Sequence, residues 1–591
     1  MKKVIVLIQA VLLVGIIGFS SCSDDFLTKL PPQSISQPQV ENEAGVNALV
    51  TGCYAWMRGD GIFANAILSD WVFGSCLSDE ASGGSEPGDQ AQFDLVEQFT
   101  PMTTSNYLSE RWAAIYTGVS RCNAALEFLQ ALQAGDNALA AAMATQLEAE
   151  IRFLRAWYHF KANRSFRNIP YVMTPAEQDG KAADEIPNDG PNWEKLEADV
   201  DFAYKNLADR TASSEKGRAS KDAARALYAQ IHLYQGDYTA AAPLLDEIIE
   251  GEGYTYTLVP NYMDNYSEDT ENNSESIFEY QASTSPTNRL GLRLTQAVFS
   301  QKPGAGPAAF GWGFYQPTQT LVDAFQVTAD GLPILDVEDR PQVKNDMGIV
   351  TSAEFVPHEG PLDPRLDHTV ARRGIPFMDW GVFTGADWIR SQAKGGPYMT
   401  KKYQHYQRNQ SRQNGNGLYG DRNFRIYRLA HILLWRAECA VEADDLELAR
   451  TLVNQVRERA KTGQPVMGRI LVNTFLTSTI TDDIVDWNQP AANYKVEPYP
   501  AGHAAFASAE EARKAVRTEL QLEFATEGAR FYDLKRWGVD IEVMTNFIAS
   551  DSRFRPEGGM ANKVYAEKNR YWPIPQGQLN IQASLMQDPN F

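Results

Sequence analysis

Residues 426–456 read IYRLAHILLWRAECAVEADDLELARTLVNQV, and this stretch decides the fold class. Its apolar residues recur every three to four positions in two consecutive runs, the first beginning at Ile426, which is the pattern of two amphipathic helices. The runs are separated by Ala443-Asp444-Asp445, and Asp444 with Glu447 has the spacing of a capping box, so the second helix is predicted to begin there. Two such helices joined by a tight turn are typical of a helix-pair repeat.

A second stretch, further upstream, carries the same signature. Ser220 is placed to cap one amphipathic helix, Gly236-Asp237-Tyr238 turns the chain, and Asp237 can cap the next helix. Further amphipathic helices are predicted over residues 107–132, 143–163 and 510–526. Since one helical pair cannot bury its apolar face alone, these units should stack into a scaffold of several tetratricopeptide-like pairs.

The middle of the chain has a different character. Residues 256–424 are rich in glycine, proline, asparagine and aromatic residues and show no sustained helical period. Long irregular spans in compact proteins usually carry function, and disordered segments are poor in aromatic residues. We therefore predict a mostly α fold, with a helical scaffold over 41–255 and 425–591 and a large irregular, loop-rich ligand-binding region over 256–424.

The start of the chain has the features of a lipoprotein signal peptide. Lys2-Lys3 precedes an apolar run, which ends at Phe19-Ser20-Ser21 before Cys22. Residues 1–21 are predicted to be removed and Cys22 to be acylated, although Phe19 stands where an aliphatic residue is usual and plain secretion is the alternative. Residues 22–40 have the composition of a lipidated tether, and 41–591 are predicted to form the folded domain.

The composition limits the classes of partner. The formal net charge of −21 becomes −23 once residues 1–21, with two lysines and no acidic residue, are removed. Such a balance argues against nucleic acid, whose phosphates need clustered lysine and arginine. We expect no nucleic-acid partner and attachment to the membrane through the lipid alone. The four cysteines after Cys22 include no C-x-x-C pair, so most are predicted to be small buried groups, and their pairing is left open.

Catalytic and cofactor motifs are weak. Residues 415–420 and 304–309 match G-x-G-x-x-G or its alanine-ending variant, but neither has the strand before it and the helix after it that a dinucleotide site needs. Glu523 and Glu527 lie one helical turn apart among basic residues, so they are interpreted as solvated or ion-paired rather than catalytic. We expect no catalytic residue and no cofactor. A metal is left open, because acidic loops such as Ser78 to Asp89 could hold calcium.

The aromatic residues of the loops are the most informative feature. Trp312, Phe314 and Tyr315 lie in FGWGFYQP, residues 310–317, where glycines should leave the rings little cover. Sugar rings pack their C–H faces on aromatic planes while neighbouring amides or carboxylates bind hydroxyls, so this loop is predicted to bind a neutral glycan. For other rings, a core or loop anchor is the favoured alternative. The lesser candidates for ligand binding are Trp71, Phe73, Trp380 and Trp388.

A set of short stretches runs in order along the whole mature chain. They are Cys22-Ser23-Asp24-Asp25-Phe26-Leu27, Ser78-Asp79-Glu80, Gly311-Trp312-Gly313 with Pro317-Thr318, Leu321-Val322-Asp323-Ala324-Phe325, Asp363-Pro364-Arg365-Leu366, Tyr427 to Ala440, Glu523 to Gly538 and Trp572-Pro573-Ile574-Pro575. As a set they resemble the SusD/RagB-like family of surface nutrient-binding lipoproteins. Phe166-Arg167-Asn168-Ile169-Pro170 departs from the Tyr-Gly-Asp that usually precedes the proline turn in that family.

The resemblance implies a fold, a partner and a site. The fold would be a right-angled scaffold of tetratricopeptide-like helices carrying an irregular binding half, docked as a lid on a SusC-like TonB-dependent transporter. Members are binders of glycans or, in some branches, of oligopeptides. Their binding loops correspond by position to Trp71 and Phe73 in one region and to Trp312, Phe314 and Tyr315 in another.

These observations support one main hypothesis and two alternatives. The chain is predicted to be a lipid-anchored protein at the cell surface of the outer membrane, which captures oligosaccharides and delivers them to the transporter without chemistry. The first alternative keeps the binding role and changes the ligand to a peptide. The second is a surface glycoside hydrolase that uses an unrecognised pair of carboxylates.

Overall fold

The computed structural model describes residues 41–251, 254–284, 312–412, 420–471, 484–556, 558 and 560–591. The predicted signal peptide, the tether and Cys22 lie outside these residues, as do residues 304–309 and nearly all of the motif at 415–420. The α-helices are α1 (Glu43–Ala55), α2 (Ala91–Glu97), α3 (Asn106–Gln133), α4 (Ala141–Phe166), α5 (Trp193–Asn206), α6 (Lys221–Gln235), α7 (Tyr238–Glu250), α8 (Gln319–Ala324), α9 (Arg365–Thr369), α10 (Gln392–Gly395), α11 (Leu429–Glu442), α12 (Leu446–Thr462), α13 (Ala509–Phe524), α14 (Arg530–Arg536), α15 (Asp540–Phe554) and α16 (Gln576–Ile581). The strands are β1 (Ala81–Gly84), β2 (Ser276–Tyr280), β3 (Phe314–Pro317), β4 (Val370–Ala371), β5 (Met399–Thr400), β6 (Phe424–Arg428), β7 (Met467–Ile470) and β8 (Val485–Pro490).

The long helices stack in the order in which they occur. Consecutive helices pack on one another from α3 through α7, then α7 packs on α11, and α11 packs on both α12 and α13. The caps predicted for the upstream pair are present. The Ser220 side chain accepts from the Ala223 amide at 3.4 Å, and that of Asp237 accepts from the Ala240 amide at 2.9 Å, on either side of a left-handed Gly236. Each cap satisfies an amide that would otherwise lack a partner at a helix start.

Two details of the downstream pair correct the sequence prediction. The residue that caps α12 is Asp445, whose side chain accepts from the Leu448 amide at 3.0 Å, and not Asp444. Asp444 instead has a φ of 60° and turns the chain, a conformation that aspartate tolerates better than most residues. The first helix was also predicted to begin at Ile426, but Ile426 lies in strand β6 and helix α11 begins at Leu429.

The loop-rich region is tied together by short antiparallel ladders. The paired strands are β1 with β3, β2 with β6, β4 with β5 and β7 with β8. The first two pairs join segments far apart in sequence, so they attach the loops to the helical scaffold. A small separate core of Phe377, Phe383, Trp388, Ile389 and Met399 stiffens the loops between β4 and β5. The predicted fold, mostly helical with tetratricopeptide-like pairs and a large irregular region, is confirmed.

Two properties of the described residues bear on the location and on the cysteines. Within the described ranges, no helix combines the length and the apolar character needed to cross a membrane. The sequence predicted that most of the cysteines after Cys22 are small buried groups. The four are buried free thiols: Cys53, Cys76, Cys122 and Cys439.

Candidate functional site

The ladder between β1 and β3 brings the two predicted binding regions together. Gly84 is opposite Phe314, and the next residue, Ser85, donates its amide to the Gly313 carbonyl at 2.6 Å. Gly84 has a φ of +73°, and a Cβ there would lie 2.7 Å from the Gly313 carbonyl oxygen. Only glycine permits this close approach of the two backbones.

Arg390 joins the two strands at one end of this ladder, at the surface. Its guanidinium donates to Ser85 Oγ at 3.0 Å, to Asp89 Oδ2 at 2.9 Å and to the Trp312 carbonyl oxygen at 3.3 Å. It also pairs with the Glu86 carboxylate. We call Arg390, Ser85, Glu86, Asp89 and Trp312 the Arg390 site. One planar cation thereby sets the position of two carboxylates and of the backbone that carries the tryptophan.

The Arg390 site is open to solvent. The Arg390 side chain is 20% exposed, Glu86 is exposed, and both Asp89 and Trp312 are half-buried. Two carboxylates and one guanidinium give the site donors and acceptors for hydroxyl groups and a charge of −1 before any ligand binds. Trp312 joins the site through its backbone carbonyl, and its half-buried indole, which packs partly against the main core, keeps some apolar surface exposed. The arrangement suits an uncharged, hydroxyl-rich ligand better than an acidic one.

The backbone at the Arg390 site is unusual. Ser85 has a φ of 61° and Tyr315 a φ of 59°, and Gly313 lies between Trp312 and Phe314 with a φ of 70°. Left-handed conformations of non-glycine residues cost about 1–3 kcal/mol each and persist only where the surroundings impose them. The ladder and the Arg390 contacts impose them here, as is common at binding sites.

The predicted rings next to Trp312 do meet, but they do so below the surface. Trp71 lies 5.2 Å from Tyr315 and 6.5 Å from Phe314, measured between ring centroids. Trp71 and Tyr315 are 0% exposed, and the Tyr315 hydroxyl donates to the Thr526 carbonyl at 2.6 Å. The expectation that glycines leave Phe314 and Tyr315 uncovered is therefore wrong. The ladder turns both side chains into the main core, where the Phe63 ring packs against Phe314 with centroids 5.0 Å apart.

The remaining predicted rings do not join the Arg390 site directly. Phe73 is buried against Trp572, with ring centroids 5.9 Å apart, and Trp388 is buried in the small core between β4 and β5. For these two residues the alternative interpretation, a core or loop anchor, describes the structure. Trp380 is half-buried and donates its indole N–H to the His405 carbonyl at 2.9 Å. Of the predicted rings, Trp312 and Trp380 keep surface that a ligand can reach.

Sequence reasoning missed most polar members of the Arg390 site. Glu86 and Asp89 were noted only as part of an acidic loop that could hold calcium, and Arg390 was not noted at all. The acidic loop is a usable signal, because carboxylates near a predicted aromatic binding loop are candidate hydroxyl acceptors. Arg390 lies 78 residues after Trp312 and gives no local signal. Among the described residues, no group of three or more histidine, cysteine, aspartate or glutamate side chains could hold a metal ion.

The carboxylates weighed as an acid–base pair lie in a buried ion network. Glu523 accepts from Arg365 at 3.0 Å and also pairs with Arg428 and Arg459, and its side chain is fully buried. Glu527 accepts from Lys402 at 2.9 Å. These cations hold the pKa of Glu523 well below its usual range, against the effect of burial, and lower that of Glu527 to about 2. Carboxylates held ionised in this way cannot donate a proton near neutral pH, so the pair is structural.

Comparison with known proteins identifies related sequences. A sequence model of the SusD family matches residues 266–591, and one described as "Starch-binding associating with outer membrane" matches residues 25–233. SusD-like protein P25 of Formosa agariphila is 22% identical over 98% of both chains.

Solved structures share the fold. A laminarin-binding SusD-like protein superposes with a TM-score of 0.63 at 22% identity, covering 93% of this chain and 100% of the other. Surface glycan-binding protein A from Bacteroides thetaiotaomicron, solved in complex with laminarihexaose, superposes with a TM-score of 0.61 at 20% identity, covering 92% of this chain and 99% of the other. Since the family model spans more than half of the 591 residues, the chain belongs to the SusD family.

Proposed function

We propose that this protein captures oligosaccharides at the cell surface and delivers them, uncleaved, to a TonB-dependent outer-membrane transporter. The observation that carries the proposal is the Arg390 site, where a half-buried tryptophan stands beside an arginine and two carboxylates. Two proteins of the same fold support the ligand class, since one binds laminarin and the other was solved with laminarihexaose. Both of these ligands are neutral glucans.

Different groups of the Arg390 site would contact different parts of a sugar. The Trp312 indole would pack against the apolar face of a sugar ring, while Arg390 donates to hydroxyls and Glu86 and Asp89 accept from them. The buried rings beneath, including Trp71 and Tyr315, would hold the loop in place and not contact the ligand. Because a few contacts on an open surface give modest affinity, delivery would depend on the receptor being held next to its transporter.

The proposed location is the outer surface of the outer membrane. A lipid on Cys22 would attach the chain, and residues 22–40 would act as its tether. The family description that refers to association with the outer membrane supports this location. The proposed partner is a SusC-like barrel that would receive the glycan from the Arg390 site.

Isothermal titration calorimetry tests the ligand class. The protein is residues 22–591 with Cys22→Ser, so that no lipid is attached, and the ligands are laminarihexaose, maltohexaose, other neutral oligosaccharides and a peptide digest. We expect at least one glycan to bind and to be recovered intact by chromatography. Binding of peptides alone would establish the peptide alternative, and release of shorter sugars would establish the hydrolase alternative.

Two variants test the site. Trp312→Ala and Arg390→Ala should each weaken glycan binding by about tenfold or more, since loss of one well-placed contact of about 1.4 kcal/mol changes affinity tenfold. Arg412→Ala is the matched control, because Arg412 also bridges two carboxylates, those of Asp269 and Asp421. These residues are not part of the Arg390 site. Equal affinity of Arg390→Ala and Arg412→Ala would refute the site.

A further inference from the structure

A cleft between the loop-rich region and the β7–β8 hairpin shares no residue with the Arg390 site. It has a volume of about 360 Å³, within the range of about 300–1,000 Å³ typical of small-ligand pockets. Its walls come from four separate parts of the chain: the segment before β2, the residues around β4, the segment after β5, and the β7–β8 hairpin with the residues just before it. The residues that matter below are Trp487, Tyr406, Met378, Asp264 and Gln464. We call it the Trp487 cleft.

Trp487 is exceptional among the tryptophans of this protein. All twelve tryptophans lie within the described residues, and Trp487 alone has an exposed side chain, at 44% of its full area. It projects from β8, on a hairpin whose pairing is irregular between Met467 and Arg469. An exposed indole that lines a cleft is a frequent contact for ligands, whereas tryptophans that serve packing are buried.

Gly468 holds the Trp487 ring in place. A Cβ at Gly468 would lie 2.8 Å from the nearest ring carbon of Trp487 and 2.8 Å from Pro376 Cγ. The indole therefore packs directly on the backbone of β7, and the φ of +112° at Gly468 is one that other residues rarely adopt. A ring supported from behind in this way presents its remaining surface to the cleft without first losing side-chain freedom.

A second ring, that of Tyr406, also lines the cleft. Tyr406 is half-buried, and the Arg408 guanidinium stacks on it at 3.8 Å from the ring centroid. Arg408 is itself held by Asp379 at 3.3 Å and Asp269 at 2.9 Å. The guanidinium covers one face of the tyrosine and fixes its orientation. Two supported aromatic side chains on different elements thus line the same cleft.

The polar groups of the cleft suit hydroxyls. Among the described residues, the half-buried carboxylate of Asp264 accepts one hydrogen bond, from Asn261 at 3.3 Å, which leaves further acceptor capacity. The Gln464 side chain is exposed at the rim. The His368 imidazole contacts the Gln464 carbonyl oxygen at 3.0 Å, and burial lowers the pKa of His368 to about 4, so this imidazole is uncharged at pH 7.

We infer that the Trp487 cleft is a second binding subsite for neutral oligosaccharide, separate from the Arg390 site. The inference rests on the proposed function for its ligand class and on the cleft for its position. Both sites are built on the small core between β4 and β5, since Arg390 follows Ile389 of that core and Met378 packs against it. A receptor with two such subsites can hold a polysaccharide at more than one point along its length.

The experiment isolates the cleft by disabling the Arg390 site. Residues 22–591 with Cys22→Ser, Trp312→Ala and Arg390→Ala are titrated with laminarihexaose and maltohexaose by calorimetry. We expect binding to remain, at one ligand per protein, and to weaken at least tenfold on adding Trp487→Ala. Leu471→Ala is the matched control, because Leu471 is an exposed apolar residue of the same hairpin that does not line the cleft.

A second variant separates ring position from ring identity. Gly468→Ala keeps Trp487 but forces its ring away from β7, so it should also weaken the residual binding, while Trp487→Phe should retain most of it. Equal binding by the Trp487→Ala and Leu471→Ala proteins would overturn the inference. So would the absence of any residual binding while the protein with both sites intact binds glycan, and in that case the proposed function stands. If the intact protein binds no glycan, both fail.

Discussion

Asp70 offers the sharpest test of how this protein is held together. Its carboxylate is buried and meets three cations, Arg111 at 2.6 Å, Lys161 at 2.5 Å and Arg164 at 2.7 Å. Arg111 lies on α3, and Lys161 and Arg164 lie on α4, so one side chain joins two scaffold helices to the loop that carries Trp71. Substitution of Asp70 by asparagine removes the charge and keeps the size of the side chain. Asparagine also tolerates the left-handed φ of 50° found at this position.

The expected loss of stability can be bounded in two ways. The three cations lower the pKa of Asp70 from 3.8 to about 2, although burial alone would raise it. At about 1.36 kcal/mol per pKa unit, this difference corresponds to about 2–3 kcal/mol of stability. Breaking a buried ion pair by removing one partner typically costs about 3–5 kcal/mol. We therefore expect Asp70→Asn to destabilise the fold by about 2–5 kcal/mol at pH 7.

The pH dependence makes this prediction specific. A carboxyl whose pKa is lower in the folded than in the unfolded state stabilises the fold above the unfolded pKa, and that contribution is lost as the pH falls towards the folded pKa. The difference between wild type and Asp70→Asn should thus shrink as the pH falls from about pH 4 to pH 2. Urea unfolding followed by tryptophan fluorescence measures it, since Trp71 adjoins the cluster.

A surface aspartate provides the control. Asp269 also pairs with two arginines, Arg408 and Arg412, but its side chain is 43% exposed, so Asp269→Asn should change stability by less than about 0.5–1 kcal/mol. If Asp70→Asn behaves like Asp269→Asn, or if its effect is as large at pH 3 as at pH 7, then the charge of Asp70 does not hold these helices together.

Three further predictions test other parts of the structure. Glu523→Gln should lower the thermal midpoint strongly, because leaving buried arginines without their carboxylate costs about 3–5 kcal/mol of stability. An unchanged midpoint would contradict a structural role for Glu523. Burial raises the pKa of Glu80 to about 8, so the folded protein keeps a proton that the unfolded chain releases above about pH 4.5. The free energy of unfolding should therefore fall as the pH rises from about 4.5 to about 8. Glu80→Gln should therefore raise the thermal midpoint at pH 9 relative to wild type more than at pH 6; an equal difference at both pH values would be inconsistent with this. Asp445→Ala should lower the free energy of unfolding in urea by about 1 kcal/mol, whereas Asp444→Gly should leave it unchanged or raise it. If Asp444→Gly were the more destabilising of the two variants, Asp444 would be the cap.

The helical half of the fold was predictable because its signals are local. Ser220 and Asp237 lie next to the helices they cap, and the apolar period of each helix is set by residues within a few turns. The errors there are also local. Two adjacent aspartates can each cap α12, and the choice between them depends on which one adopts the left-handed turn, which the spacing to Glu447 does not reveal.

The site was less predictable because its contacts are long-range. Trp312 was found from its loop composition, but its neighbour Arg390 is far away in sequence and reaches it only once the small core and the β1–β3 ladder have formed. The same holds for Trp487, whose support comes from Gly468 on the paired strand. Neither an arginine nor a lone tryptophan in a loop carries a local pattern that separates a ligand contact from a solvated side chain.

The burial of the predicted rings changes what the aromatic composition of the loops means. Irregular segments lack the repeating hydrogen bonds that stiffen helices and strands, so something else must hold them in one shape. In this protein Trp71, Phe314 and Tyr315 do so by joining the main core, and Trp388 does so in the small core. The anchored loops then hold Trp312 at the surface before a ligand arrives. A loop ordered in advance loses little entropy on binding, which is how a receptor with few contacts can still select its ligand.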